Sequence, residues 1–183
     1  MPNSHRKPMT MTRLPDTKLG LKGRGLHDWL TEQCVTAPAG MFEIQRTGDG
    51  ALIVRYGADE IVVASPPGST LVASLSAALP ATAVYKMPRE DSTFALEGAG
   101  AFDLLSQTCG VQFSTAAADN AIFTRVAGVS CAVLPIPDAA EPQFLLWVDP
   151  SYVDYLWEAL EKIVADLGGV TRAQEPSLAA AAH

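Results

Sequence analysis

The sequence is poor in the residue that most often carries enzyme chemistry. It has three histidines, of which His5 and His183 lie near the two ends and only His27 is internal. Histidine is the usual general base near neutral pH and the commonest metal ligand. A single internal histidine therefore argues against a histidine-based catalytic site. His27 also lies off the apolar stripe of its predicted helix, which indicates a solvated side chain.

Cysteine is equally sparse. Cys34, Cys109 and Cys131 are odd in number and form no Cys-x-x-Cys, which favours a reducing compartment over a disulfide framework. Their spacings match no zinc motif. We expect Cys34 and Cys109 on buried helical faces and Cys131 in an apolar strand, where thiols are usually inert. No catalytic, cofactor-binding or metal-binding residue is predicted on this chain.

Basic charge and long apolar runs are also missing. The chain has 13 lysines and arginines against 20 acidic residues, a net charge of −7. This balance argues against binding to nucleic acid or to an anionic membrane. No run of about 18 apolar residues could span a bilayer, and residues 1–17 lack the apolar segment of a secretory signal. We therefore expect a cytoplasmic location.

The sequence does contain an internal repeat. Residues 19–30 (LGLKGRGLHDWL) recur 75 residues later at 94–105 (FALEGAGAFDLL). Identities at one fixed spacing, in register with the apolar positions, indicate two copies of one structural unit. The identical pairs are Gly23 and Gly98, Gly25 and Gly100, Asp28 and Asp103, Leu30 and Leu105, and Cys34 and Cys109.

Each copy predicts an extended segment, a Gly-x-Gly turn, a helix with a 3.6-residue apolar period, several strands and a closing helix. The predicted fold is α+β, with two tandem pseudo-symmetric strand–helix–strands–helix units that are ferredoxin-like and have antiparallel sheets. The predicted organisation is a flexible tail at 1–17, a first unit at 18–80, a linker at 81–92, a second unit at 93–169 and a flexible tail at 170–183.

The Gly-x-Gly turns raise the possibility of a nucleotide site. A dinucleotide fingerprint continues to a third glycine that allows close packing at the pyrophosphate. Here Asp28 and Asp103 take that place, and a carboxylate there would repel phosphate. An acidic residue in a first helical turn instead favours the helix dipole. Structural turns are therefore favoured over a nucleotide site.

The last predicted helix, 151–167, is unusually apolar around its circumference. Two alternatives stay open: the helix is sandwiched within its own fold, or part of it docks another protein. Tyrosine and tryptophan are favoured anchors at interfaces. The candidate partner-interface residues are Tyr155, Trp157, Val153 and Trp147.

Three segments resemble a known family. They are 94–109 (FALEGAGAFDLLSQTC), 123–129 (FTRVAGV) and 144–160 (FLLWVDPSYVDYLWEAL). They are similar to the gamma subunit of heterotetrameric sarcosine oxidases, relatives of the aminomethyltransferase of the glycine cleavage system. The resemblance covers about residues 18–168.

The resemblance implies a non-catalytic subunit of a complex that oxidatively demethylates an N-methyl amino acid. It further implies that the chain packs against a large alpha-type subunit. FAD, FMN, NAD and tetrahydrofolate would be held by the partner subunits, with no cofactor on this chain.

The sequence departs from the family at two places. Gln112 stands where an acidic residue is frequent, and 84–88 (VYKMP) replaces an Asp-x-Ser-x pattern. Both departures weaken the case for folate binding by this chain. The alternative is a stand-alone tetrahydrofolate-binding protein of the aminomethyltransferase type, which needs a pocket between the halves with a carboxylate to hold the pterin.

Overall fold

The computed structural model describes residues 7–114, 119–137 and 139–173. In these residues the strands form a five-stranded first sheet, β3-β4-β5-β2-β6, and a six-stranded second sheet, β11-β1-β7-β10-β9-β8. In chain order the elements are β1 Thr10–Leu14, β2 Thr17–Lys22, α1 Leu26–Glu32, β3 Ile44–Arg46, β4 Leu52–Gly57, β5 Glu60–Ser65, α2 Leu71–Ala77, β6 Tyr85–Arg89, β7 Ser92–Glu97, α3 Gly100–Thr108, β8 Ile122–Val126, β9 Val129–Pro135, β10 Gln143–Val148, α4 Val153–Leu167 and β11 Val170–Arg172.

The two sheets pack face to face, with helices on the outside. Along β5, Ile61 and Val63 contact the core under α1 and α2. Val62 and Ala64, on the opposite face, belong to the core between the sheets. Because successive side chains of a strand point to opposite faces, a strand covered on both faces must be apolar throughout. The molecule is therefore layered helix–sheet–sheet–helix.

This architecture confirms the predicted α+β fold of two ferredoxin-like units. Pairing within both sheets is antiparallel except between β1 and β11. The last helix also ends as expected, with Gly168 in the left-handed conformation after α4. Among the described residues no helix is long and apolar enough to cross a bilayer.

The two units exchange their first strands. β1 precedes β2 in the chain but pairs with β7 in the second sheet, whereas β6 precedes β7 but pairs with β2 in the first sheet. β1 and β6 start 75 residues apart, which is the spacing of the sequence repeat. Thr10 pairs with Glu97 just as Tyr85 pairs with Lys22. The repeat therefore begins at residue 10, and each half completes the sheet of the other.

The predicted tails and linker are corrected at three places. Thr10–Leu14, predicted as tail, is β1, and Tyr85–Arg89, predicted as linker, is β6. Val170–Arg172, also predicted as tail, is β11. β6 and β11 are the outermost strands of their sheets and β1 lies next to one edge, so all three carry polar residues or proline and lack an apolar pattern. Residues 1–6 and 174–183 of the predicted tails lie outside the described residues.

At each Gly-x-Gly turn, the backbone passes close to the residues that lead into the exchanged strand from the other half. A Cβ on Gly23 (φ +131°) would lie 1.9 Å from the carbonyl oxygen of Ala83, and one on Gly98 (φ +96°) would lie 2.4 Å from that of Pro8. The second glycine of each motif donates its amide to the same carbonyl, at 3.5 and 3.2 Å. Close approach of backbone to backbone thus requires glycine here, which supports the turn interpretation over a nucleotide site.

The prediction that Cys34 lies on a buried helical face is wrong. Cys34 is exposed and has a φ of 58°, because α1 ends at Glu32. The amide of Val35 donates to Leu30 O at 2.8 Å, so Cys34 is the left-handed residue of the helix stop rather than part of its buried stripe. Cys131 is buried, as predicted, and Cys109 is half-buried.

Candidate functional site

A pocket of about 670 Å³ lies between the two sheets. The first sheet contributes Tyr56 from β4 and Arg89 from β6. The second sheet contributes Phe123, Cys131 and Trp147 from β8, β9 and β10. Its volume falls within the range of roughly 300–1,000 Å³ usual for small-molecule sites, so it is the candidate ligand site of this chain.

Aromatic rings form one wall of the pocket. The Tyr56 ring lies 4.8 Å from that of Phe123, edge to face, and 6.4 Å from that of Trp147. Phe42 packs in turn against Phe123 at 5.5 Å. Burial raises the pKa of Tyr56, so its phenol stays neutral at physiological pH. The wall therefore offers flat apolar faces without a titrating group.

The charged groups of the pocket are largely committed to neighbours. Arg89 binds Asp91 through Nε at 2.6 Å and Nη2 at 3.1 Å, and its guanidinium lies 5.5 Å from the Tyr56 ring. The hydrogen bond to Asp91 raises the pKa of Arg89. Asp149 accepts the amide of Ser151 at 2.9 Å, and its hydrogen bonds to Ser151 lower its pKa.

A second charged pair, almost without access to water, links the two halves beside Trp147. The ammonium of Lys18 lies 2.8 Å from Asp16, donates to Asp91 O at 2.7 Å and sits 5.5 Å from the Trp147 ring. The other oxygen of Asp16 accepts Thr93 Oγ1 at 2.8 Å. Burial lowers the pKa of Lys18, and the Asp16 carboxylate opposes this effect. The network joins the corner before β2 to the corner before β7.

Trp147, one of the predicted interface residues, is buried in the core between the sheets. Its indole Nε1 has no hydrogen-bond partner among the described residues. A buried donor left unpaired costs about 1–3 kcal/mol. The unpaired indole N–H is therefore a local cost of packing Trp147 between the sheets.

The other three predicted interface residues lie on α4 and differ in how deeply they are buried. Val153 is buried, and Trp157 is partly buried against Phe94 with their rings 5.3 Å apart. Tyr155 remains on the surface, 62% exposed. The helix thus uses Val153 and Trp157 for its own core, and of the four predicted residues Tyr155 offers the most exposed surface.

The remaining chemical candidates stay apart. His27 is half-buried, and its Nε2 donates to Ala58 O at 2.9 Å. Burial raises the pKa of Cys131 to about 11, which keeps its thiol protonated at neutral pH. Among the residues that the structure describes, no three His, Cys, Asp or Glu side chains converge as a metal site. The arrangement offers binding surfaces rather than a nucleophile paired with a base.

The sequence did not point to Tyr56, Arg89, Phe123 or Lys18, because they come together only when β6 joins the first sheet and the two sheets pack face to face. One pattern could have pointed to them. Asp16 and Asp91 are identical at the repeat spacing of 75 residues, which extends the repeat to the residues just before β2 and β7.

No family model matches the chain, and no curated protein matches it. Solved structures do share its fold. A chain of the heterotetrameric sarcosine oxidase from Corynebacterium sp. U-96, solved with pyrrole 2-carboxylate, superposes with a TM-score of 0.74 and 20% identity over 95% of this chain and 90% of its own length. The glycine cleavage system aminomethyltransferase T from Bartonella henselae gives a TM-score of 0.70 and 12% identity over 91% of this chain.

The chain has the fold of these proteins. At such identities the similarity establishes the fold and nothing finer. The chain corresponds to 48% of the length of the aminomethyltransferase chain.

Proposed function

We propose that the chain is a non-catalytic, gamma-type subunit of a hetero-oligomeric oxidase related to sarcosine oxidase, and that it docks on the large alpha-type subunit. The observation that supports this most is the mutual coverage of the two chains. The match spans 95% of this chain and 90% of the oxidase chain, whereas it leaves about half of the aminomethyltransferase without a counterpart.

On this proposal FAD, FMN, NAD and tetrahydrofolate bind to the partner subunits in the cytoplasm, and oxidative demethylation of the N-methyl amino acid takes place there. The chemistry of this chain agrees with such a division. Its internal histidine is half-buried and bonded to the carbonyl of Ala58, and its buried Cys131 thiol is held protonated. Its contribution is to hold the partner subunits in place.

Co-expression tests the proposal. The chain, carrying an affinity tag, is produced with the alpha- and beta-type oxidase subunits encoded in the same genome. We expect the three to co-purify with flavin absorbance and sarcosine-demethylating activity, while the chain produced alone is colourless. A chain that is active and flavin-bound as a monomer would contradict the proposal.

The inter-sheet pocket favours a second candidate, binding of tetrahydrofolate by this chain. It has the aromatic wall of Tyr56 and Phe123, and the carboxylates of Asp91 and Asp149 lie in its lining. Titration calorimetry with tetrahydrofolate separates the two. The subunit proposal expects no heat at about millimolar ligand, whereas binding that is lost in Tyr56→Leu would support the folate candidate.

A further inference from the structure

The free edge of the first sheet differs from its counterpart in the second sheet. In the second sheet β1 lies between β7 and β11, and the amide of Val170 donates to Met9 O at 3.1 Å. β6 is the equivalent strand of the first sheet. It pairs with β2 and is the last strand on that side among the described residues. Among the described residues, no strand of the first sheet occupies the position that β11 fills in the second.

The backbone of β6 presents hydrogen-bonding groups to this free edge. Pro88 has no amide hydrogen to donate, so on this edge strand its position faces the free side rather than β2. Because backbone groups of successive residues in a strand face opposite neighbours, Tyr85 and Met87 face β2. Lys86 therefore directs its amide and carbonyl to the free edge. The residues of β1 alternate in the same sense, with Pro8 O facing Gly100 and Met9 O facing β11.

Two apolar side chains lie beside this edge on the face turned toward the second sheet. Tyr85 is 65% exposed and Met87 is 38% exposed. Their equivalents in β1, by pairing register, are Thr10 and Thr12. These repeat positions are therefore polar in β1, whose outer edge is paired with β11, and apolar in β6, whose outer edge is unpaired among the described residues. Exposed apolar side chains grouped at such a place mark contact surfaces.

Lysine on an edge strand commonly guards against pairing with another chain, but Lys86 does not act in this way. Its ammonium donates to Ser76 O at 3.1 Å and to Ala78 O, at the end of α2, and lies 5.2 Å from the Trp29 ring. The charge is thus held away from the edge. Pro88, which has no amide hydrogen, limits the pairing to a short stretch.

We propose that an extended segment of the partner subunit docks along β6 as a short parallel strand, completes the first sheet as β11 completes the second, and covers Tyr85 and Met87. The proposal rests on the hetero-oligomer of the proposed function and identifies its docking surface. The template is within the molecule: β11 pairs with β1 over three residues, Val170–Arg172. The segment needs apolar side chains toward Tyr85 and Met87, and the backbone hydrogen bonds place few demands on the rest of its sequence.

The test uses the full chain co-expressed with the alpha-type oxidase subunit. The double variant Tyr85→Thr/Met87→Thr gives β6 the side chains that β1 has at the equivalent positions, so the sheet is expected to stay folded. We expect it to weaken binding of the alpha-type subunit by at least about tenfold. Tyr152→Thr is the matched control, since it removes a tyrosine of comparable exposure, 54%, from the surface just before α4. We expect its binding to change less than about twofold.

Hydrogen exchange gives a second measurement. The amide of Lys86 is expected to exchange faster in the isolated chain than in the complex, because it becomes paired on binding, whereas the amides of Tyr85 and Met87 already pair with β2. Retention of full binding by the double variant, or no added protection in the complex, would overturn the docking surface and leave the proposed function standing. Protection of the Lys86 amide already in the isolated chain would also overturn it, since the chain itself or a second copy then covers the edge. Failure of the wild-type chain to bind the alpha-type subunit overturns both proposals.

Discussion

At the level of single residues, the junction between the halves depends on an ion pair shielded from water. The side chain of Lys18 is 1% exposed and that of Asp16 is 9% exposed. Taking both charges out of water is costly, and their attraction and hydrogen bonds offset that cost only while the pair is complete. Thr93 and the carbonyl of Asp91 supply the remaining partners. Removing either Lys18 or Asp16 alone is therefore expected to destabilise the fold far more than removing both.

Lys18→Met is therefore expected to lower the free energy of unfolding by about 3–5 kcal/mol, because it leaves the Asp16 carboxylate buried and unpaired. Lys22→Met is the control, since Lys22 and Glu60 form an exposed pair worth less than about 1 kcal/mol. Urea titrations of the two variants measure the difference. The double change Lys18→Met/Asp16→Leu should recover a large part of the loss, and equal destabilisation by both lysine variants would refute this role of the buried pair.

At the level of elements, the sequence predicted best those segments whose contacts are local. α3 and α4 follow from apolar residues at helical spacing, and β5 and β10 from short apolar runs bounded by turns. β1 and β6 escaped prediction because their pairing partners belong to the other half of the chain, a property that no local pattern records. The inter-sheet pocket escaped for the same reason, since Arg89 reaches Tyr56 only after β6 has joined the first sheet. The repeat spacing was the one long-range clue in the sequence.

On the last helix, two of the candidate interface residues differ in their packing. Trp157 packs edge to face on Phe94, while Tyr155 is exposed. Trp157→Ala is expected to cost about 2–3 kcal/mol of unfolding free energy, somewhat less than a fully buried tryptophan. Tyr155→Ala is expected to cost less than about 0.5 kcal/mol. Thermal and urea unfolding of the isolated variants check this, and a larger loss for Tyr155→Ala would contradict the packing of α4.

At the scale of the whole molecule, the exchange of β1 and β6 makes each sheet dependent on both halves of the chain. A half that unfolds removes an interior or edge strand from the other sheet and also exposes the apolar core between the sheets. The chain is therefore expected to unfold as one cooperative unit, although its sequence is a tandem duplication. A duplication without such an exchange could instead unfold in two steps.

The close backbone approach at Gly98 provides the sharpest test of this cooperativity. Gly98→Ala places a Cβ 2.4 Å from Pro8 O at a φ of +96°, which is expected to destabilise the second sheet by roughly 2 kcal/mol or more. Trp29 lies in the core of the first sheet, so in a Trp147→Phe/Trp157→Phe background its fluorescence follows the other half alone. We expect the urea midpoint of Trp29 fluorescence to fall together with that of far-ultraviolet circular dichroism.

Gly48→Ala, where the added Cβ has nothing within 4 Å, is the control and should leave both midpoints nearly unchanged. A Trp29 transition that stays in place while the dichroism transition shifts would show that the halves unfold independently, and the exchange of strands would then not couple them.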